Sequence, residues 1–350
     1  MHWSRAARLG VITKGWLLML VRPTSVLFAS VLGMAVGTAA VHAARPGDYT
    51  LLGAIALPSG MWDVAPDGRV MGLSGNNVVH QTSLGSGVYA TIGSIPAGTV
   101  SAFGASYFAI SPSGTWISMG DNGFTPTSRV HVVATGALNT SAPTPTISTQ
   151  AMNFDGAWAS DSELYVSGGV FGGANTVSRV TLSGSTLSAA SVVSNIPDAS
   201  GGVAVHDGAM LTGVGFGARA GEIRSFAIAT LTGSGSAVSF DSGSLLGSIL
   251  SASSLEFDDS DNLIVAGQGG VTLTNLIGES VTLVPLGSGA FYTARYSAFT
   301  HQIIVQGTDF STGTTGGFVY AVPAPATAAL LLLSAVPLAR RRSVRLECGR

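Results

Sequence analysis

Apolar strands separated by short polar turns recur along the middle of the chain. Six segments share this strand-turn-strand pattern, and the alternation of apolar and polar residues within them is typical of half-buried strands. The segments read WDVAPDGRVMGL, FAISPSGTWISM, AWASDSELYVSG, VAVHDGAMLTG, LEFDDSDNLIVAG and YSAFTHQIIVQG. Their second strands begin at Val70, Trp116, Leu164, Met210, Leu263 and Ile303, at intervals of 46, 48, 46, 53 and 40 residues. This spacing is close to that of a four-stranded propeller blade.

Each repeat leaves room for two more strands. Candidate third strands are SRVHVVATG, TVSRVTLSG, EIRSFAIATL, GVTLTNL and GGFVYAV, and candidate fourth strands are YATIGSIP, ASVVSNIP, GSLLGSIL and SVTLVPLG. The last repeat has no room for a fourth strand, whereas a spare strand from Leu51 to Leu57 precedes the first repeat. We therefore predict an all-β, six-bladed β-propeller whose N-terminal strand completes the sixth blade and removes the exposed sheet edges. A parallel β-helix or a pair of β-sandwiches is the alternative fold.

The segment FDDSDNLIVAG resembles the strand-turn-strand units of NHL-like and lactonase-like six-bladed propellers. The resemblance fits one blade best, and it implies architecture only, because one fold supports many functions.

The net charge of the central part of the chain, which we call the body, limits the kinds of partner that it can bind. Between Ala44 and Val322 the chain has seven Arg against seventeen Asp and Glu residues, a net charge of −10. Such a body repels phosphate backbones and anionic lipids, so we expect no nucleic-acid partner and no peripheral membrane binding. The single cysteine, Cys348, lies in the tail, so the body can form neither an intrachain disulfide nor a cysteine metal site.

Residues 1–43 have the order of a secretory signal peptide. Basic residues come first, an apolar stretch runs from Ser25 to Ala40, and small residues follow up to Ala43. This pattern predicts a short hydrophobic helix, passage through the Sec translocon and cleavage near Ala43 or Ala44. An uncleaved anchor is the alternative, but the apolar run is shorter than the ~20 residues that span a bilayer.

Residues 322–350 combine a proline pair, an apolar run and a basic cluster. Proline ends a preceding strand, the run 326–339 predicts a short membrane helix, and the arginines hold its end at the cytoplasmic face. The run is short for a permanent anchor. The residues of the proline motif and of the basic cluster are Val322, Pro323, Ala324, Pro325, Arg340, Arg341 and Arg342.

This order resembles the PEP-CTERM sorting signal, in which Pro-Glu-Pro precedes an apolar helix and a basic cluster. Here Ala324 stands where the family has Glu, and eight residues follow the cluster. The resemblance implies that an inner-membrane exosortase reads Pro323 and Pro325 and cleaves the tail. The released protein would reach the cell surface, the outer envelope or an exopolysaccharide matrix after transient anchoring in the inner membrane. A plain tail anchor is the alternative.

The domains predicted are the signal peptide 1–43, the propeller-like domain 44–321 and the sorting tail 322–350.

One acidic segment is a candidate calcium site, since carboxylate oxygens at close spacing suit this ion. Its candidate ligands are Glu256, Asp258, Asp259 and Asp261. The same residues occupy a turn between two strands, where Asp is favoured because its side chain bonds nearby backbone. We favour the turn interpretation.

The resemblance to lactonase-like propellers implies a second calcium hypothesis. Such enzymes hold calcium in the central channel with acidic and amide ligands from inner strands. The resemblance would place Asp63, Asn153, Asp155 and Glu256 there.

Other residues that could carry chemistry have structural explanations. His206, with Asp207 beside it, and His301 could act as a general base, but they fall in the equivalent inter-strand turns of the fourth and sixth repeats. No nucleophile elbow, zinc-protease motif or phosphate loop is present in the body. The tryptophans of the first three repeats, which we expect to pack between blades, are Trp62, Trp116 and Trp158.

The sequence thus predicts an exported cell-surface or matrix protein, a non-enzymatic structural or binding propeller with no required cofactor. The alternative is a secreted, calcium-dependent, lactonase-like hydrolase.

Overall fold

A computed structural model gives the architecture of residues 49–323. It describes this range except for residues 101–103, 122–127, 141–143, 150–151, 171–172, 174, 250, 268–269, 276–279 and 286–287. The predicted signal peptide, the apolar run 326–339 and the sorting residues from Ala324 to Arg342 lie outside the described residues.

Twenty-five strands, one short α-helix and two single-turn 3-10 helices are found in the described part of the chain. The strands are β1 (Thr50–Ile55), β2 (Trp62–Val64), β3 (Val70–Ser74), β4 (Asn77–Gln81), β5 (Tyr89–Ser94), β6 (Ala105–Ile110), β7 (Trp116–Asp121), β8 (Arg129–Ala134), β9 (Thr146–Ser148), β10 (Asn153–Ser160), β11 (Glu163–Gly168), β12 (Asn175–Ser183), β13 (Thr186–Ile196), β14 (Ala199–His206), β15 (Ala209–Phe216), β16 (Glu222–Ala227), β17 (Val238–Ser239), β18 (Ser244–Ser248), β19 (Ser254–Phe257), β20 (Leu263–Gly267), β21 (Gly270–Thr274), β22 (Ser280–Val284), β23 (Gly289–Ser297), β24 (Gln302–Asp309) and β25 (Thr315–Ala321). The helix α1 (Ile228–Gly233) lies between β16 and β17. Among the residues described, no helix is long and apolar enough to cross a membrane.

The strands form six separate sheets, which are the six blades of the predicted propeller. Blade 1 contains β2 to β5, blade 2 contains β6 to β9, and blade 5 contains β19 to β22. Blade 3 contains β10 to β13 with β17 at its edge, and blade 4 contains β14, β15, β16 and β18. Blade 6 has the order β1-β25-β24-β23. The six-bladed propeller is therefore confirmed, and the β-helix and the sandwich pair are excluded.

The first strand of the described chain closes the ring, as predicted. β1 pairs antiparallel with β25, from Thr50 opposite Ala321 to Ile55 opposite Gly317. A Cβ atom on Gly316 would lie 2.6 Å from the carbonyl oxygen of Ile55, so only glycine permits this close approach.

Both ends of the described chain leave the ring on one face, which carries the turns between first and second strands. The Tyr49 hydroxyl donates to Asp258 Oδ2 in such a turn of blade 5 (3.2 Å). The Val322 N–H donates to the carbonyl of His301, in the equivalent turn of blade 6 (2.9 Å). We call this side of the ring the turn face.

Strand positions agree with the repeat, except in one insertion. Each second strand begins within one residue of its predicted position. The predicted strand EIRSFAIATL instead ends at Ala227, where α1 begins, and β17 then adds a parallel fifth strand to blade 3. Leu231 and Phe240 are buried in the core formed by blades 3 and 4, which holds the inserted segment against the ring. This insertion explains the long interval of 53 residues between Met210 and Leu263.

Aromatic side chains fill the spaces between blades. Trp62 is buried in blade 1, and its Nε1 donates to Gln306 Oε1 of blade 6 (2.8 Å). The Nε1 of Trp158 in blade 3 donates to the carbonyl of Ala109 in blade 2 (3.2 Å). Trp116 is partly buried against the core shared by blades 2 and 3. The tryptophans thus join neighbouring blades through packing and hydrogen bonds.

Candidate functional site in the central channel

The first strand of each blade lines the centre of the ring, and four charged side chains meet there. Asp63 comes from β2, Asp155 from β10, Glu256 from β19 and Arg295 from β23. Asp155 and Arg295 are buried, and Asp63 and Glu256 are partly buried. Three carboxyl groups therefore surround one guanidinium group.

The Arg295 guanidinium bridges the channel. Its Nη2 donates to Asp155 Oδ1 (3.2 Å), and its Nε lies 3.4 Å from Asp63 Oδ1. Its Nη1 donates to Ser254 Oγ (2.9 Å) and to the carbonyl of Ala294 (3.2 Å). A buried guanidinium requires such partners, because an unpaired buried charge is strongly destabilising.

Asp63 and Asp155 also join neighbouring blades. Each carboxylate accepts the N–H of the residue that follows it and an N–H from the inner strand of the next blade. For Asp63 the donors are Val64 and Ile110, each at 2.8 Å, and for Asp155 they are Gly156 at 3.0 Å and Val203 at 3.2 Å. Burial raises the pKa of both carboxyl groups, and the attraction of Arg295 opposes this shift.

Glu256 is the carboxyl group of the channel with the fewest partners. Its Oε1 accepts only a long hydrogen bond, from the N–H of Phe257 at 3.3 Å. Burial raises the pKa of Glu256 to about 7, Arg295 lowers it, and the charges of Asp63 and Asp155 raise it. This carboxyl group is poised to exchange a proton near neutral pH.

Arg295 separates two cavities in the channel. The one on the turn face has a volume of about 190 Å³ and is lined by residues that include Asp63, Glu256 and Tyr296. The cavity on the opposite side has a volume of about 60 Å³ and is lined by residues that include Trp62 and Asp155. Arg295 lines both cavities, so its side chain forms the partition between them.

The channel residues do not fit calcium. This ion requires six to eight oxygen ligands. Three of the four expected channel carboxylates and amides do face the channel, but Asp63 and Asp155 already hold backbone N–H groups and the Arg295 cation. Among the described channel carboxylates, Glu256 alone has an oxygen without a hydrogen-bond partner, and one carboxyl group cannot supply the six to eight ligands of calcium.

Asn153 does not join the channel cluster. Its Nδ2 donates to the carbonyl of Arg129 (3.2 Å), and its Oδ1 accepts the Thr149 hydroxyl (2.8 Å). The amide therefore ties blade 3 to blade 2.

The acidic turn after β19 spreads its carboxylates apart. Asp258 Oδ1 accepts the N–H groups of Ser260 and Asn262, each at 2.9 Å, which is a hydrogen-bond pattern typical of a tight turn. Asp259 and Asp261 point to histidines of the two neighbouring blades. In the part of the chain that the structure describes, no group of three His, Cys, Asp or Glu residues is arranged to hold a metal ion.

His301 lies in the turn that the repeat predicts, whereas His206 is the last residue of β14, immediately before the turn of blade 4. His301 of blade 6 pairs with Asp259 (Nδ1 to Oδ2, 2.6 Å), and His206 of blade 4 pairs with Asp261 (Nε2 to Oδ1, 2.9 Å). The His206 ring also stacks on Phe257, with ring centres 4.3 Å apart. These pairs link blade 5 to both neighbours on the turn face.

Sequence reasoning missed Arg295. The signal available was that Arg295 is the only arginine or lysine in the six inner strands, within the otherwise uncharged segment GAFYTARYS. A lone cation in a strand predicted to be buried requires carboxylate partners on facing strands.

The titration of Glu256 gives the first prediction. Folding raises the pKa of Glu256 from 4.5 to about 7, so the stability of the protein should fall as the pH rises from about 4.5 to 7. Glu256→Gln removes this loss, so we expect the variant to be more stable than the native protein at pH 8.5 by about 1–3 kcal/mol, and equally stable at pH 4.5. Urea denaturation at both pH values measures the difference.

Glu163→Gln is the matched control for this titration. Burial raises the pKa of Glu163, but the hydrogen bonds from Arg179 and Tyr165 outweigh burial and leave the pKa lowered. This variant should therefore lose stability at pH 8.5 and approach the native protein in acid. Equal pH profiles for the two variants would contradict the assignment.

Comparison with known proteins concerns the fold. No family model matches the sequence, and no curated protein matches it. A gluconolactonase from Xanthomonas campestris has 15% identity and a TM-score of 0.52, over 82% of this chain and 93% of the other. A second protein, assigned as a gluconolactonase, has 12% identity and a TM-score of 0.51, over 79% of this chain and 96% of the other. These likenesses show the fold alone.

Proposed function

We propose that the chain is a non-enzymatic binding or structural propeller that is exported and then processed at its C-terminal sorting signal. The observation that carries the proposal is the Arg295 guanidinium, which bonds to Asp155 and divides the channel. Because Arg295 engages Asp155 and Asp63, two of the three channel carboxylates are not free to bind a catalytic metal ion. The proposal sets aside the alternative, a calcium-dependent hydrolase.

The proposal of export rests on the two ends of the sequence. Basic, apolar and small residues follow one another in residues 1–43, and the tail has Pro323, Pro325, the apolar run 326–339 and three arginines in order. Since β25 ends at Ala321, removal of the chain beyond Pro323 leaves every strand of the ring in place.

The proposed partners follow from charge and from the tail. A body of net charge −10 favours neutral polysaccharides of the matrix over anionic polymers. The Sec translocon and an exosortase-like enzyme are the proposed processing partners, with the inner membrane contacted only before cleavage.

Export is tested in a bacterium that has an active exosortase. We expect the native chain to lose about 30 residues from its C-terminus and to appear outside the inner membrane. The reason is that the basic cluster holds the tail in the inner membrane until it is cleaved. Changing Arg340, Arg341 and Arg342 to Ser should leave the tail uncut, whereas the control Arg345→Ser should be processed normally. Fractionation and mass spectrometry follow both.

Two results would contradict the proposed function. The first is a native chain that stays at full length in the inner membrane of these cells. The second is a calcium-dependent lactone hydrolysis by the purified protein that Glu256→Gln abolishes.

A further inference from the structure

The charges of the channel are not balanced. Arg295 donates to Asp155, Ser254 and the carbonyl of Ala294, and it lies beside Asp63, so each of its three side-chain nitrogens has a partner. Glu256 receives no hydrogen bond from Arg295 among the contacts described, and only one long bond from its own strand. A further positive charge next to Glu256 would compensate the excess of carboxylates.

The cavity on the turn face has the lining that a small organic cation requires. Glu256 supplies a free carboxylate oxygen on its channel side, and Asp63, whose oxygens are already bonded, adds negative charge. The rest of the wall includes the exposed ring of Pro112 and the partly buried aromatic rings of Trp158 and Tyr296. Aromatic faces attract cations, and apolar side chains accept a short hydrocarbon chain. The volume of about 190 Å³ limits the occupant to a small molecule.

We propose that this cavity is a binding site for a small primary ammonium compound, whose charged group pairs with Glu256 and whose short apolar chain contacts Pro112 and Trp158. An anion does not suit the cavity, because three carboxyl groups face the channel and the guanidinium is already bonded. A calcium ion does not suit it either, because Glu256 alone has an oxygen to offer. The site goes beyond the proposed function and exists whether or not the chain is exported.

The experiment uses the full-length chain with three probes: propylammonium chloride, 1-propanol and calcium chloride. Calorimetric titration at pH 8 should show binding of propylammonium, no comparable binding of its uncharged analogue propanol, and no calcium binding in the channel. In Glu256→Gln we expect the affinity for propylammonium to fall by about tenfold or more, since the charged hydrogen-bond partner is lost.

Asp207→Asn is the matched control. It removes the same charge from an exposed turn on the same face, and Asn accommodates the positive φ of 47° at this position. This variant should bind propylammonium like the native protein. Because Glu256→Gln keeps the shape of the side chain, a melting curve shows whether it is folded before its affinity is compared.

Several results would overturn the site. They are the absence of propylammonium binding at millimolar concentrations, equal binding by the native protein and Glu256→Gln, equal binding of propanol, and calcium binding that depends on Glu256. Equal losses of affinity in Glu256→Gln and Asp207→Asn would point to general surface charge and would also overturn it.

Discussion

Replacing Arg295 by Met is expected to lower the free energy of unfolding by about 3–5 kcal/mol at pH 8, because it leaves buried carboxylates without their cation. Arg295 is buried and lowers the pKa values of Asp63, Asp155 and Glu256. Without it these pKa values rise further, so the loss of stability should grow as the pH rises from 5 to 8. Urea denaturation at the two pH values measures the effect.

Arg69→Met is the control for loss of an arginine from a surface ion pair. The Arg69 and Asp67 side chains are about one third exposed or more, so we expect a loss of about 1 kcal/mol or less. Adding Asp155→Asn to Arg295→Met should restore part of the stability, since one uncompensated charge is removed. A loss in Arg295→Met that is independent of pH would show that packing, not charge, holds the centre of the ring together.

Removing the closing strand is expected to have an effect of similar size. A chain that begins at Pro58 lacks all five paired positions between β1 and β25, and at about 1 kcal/mol per pair the loss is about 5 kcal/mol. It also loses the packing of Ile55 and Leu57 against the core of blades 1 and 6. The open edge of β25 should then cause aggregation, visible by gel filtration and circular dichroism.

A chain that begins at Asp48 is the matched control and should fold as a monomer. A synthetic peptide of residues 48–57 should restore the monomeric state of the shortened chain by adding a strand to the open edge, whereas a scrambled peptide should not. A monomeric, fully folded chain that begins at Pro58 would contradict the closure of the ring by β1.

Most of the ring could be predicted because its strands follow a simple physical rule. Each blade buries alternate residues against its neighbours, so the alternation of apolar positions predicts the strands. The last repeat has no fourth strand, and the spare N-terminal strand is therefore predicted to complete blade 6. The insertion after Ala227 has no such pattern. There Leu231 and Phe240 are buried partly by contact with blade 3, which precedes the blade that contains them, and local propensity could not show this.

The centre of the ring could be predicted only in part. The resemblance to lactonase-like propellers placed Asp63, Asp155 and Glu256 in the channel, and all three lie on inner strands there. The resemblance placed Asn153 with them, but it is the first residue of β10, two residues before Asp155, and its side chain bonds to blade 2. The role of Arg295 depends on which inner strands lie opposite β23 across the channel. Closure of the whole ring determines this, and no local segment of the sequence shows it.

The pairing of β1 with β25 also determines how the ring responds to force. Thr50 and Ala321 are opposite each other at the end of the ladder where both chain ends emerge. A pull between those ends loads this first pair alone, and each rupture passes the load to the next pair, until Ile55 separates from Gly317. The ring would therefore open at low force by separation of β1 from β25, one pair at a time. A pull applied to two different blades would instead load many hydrogen bonds at once.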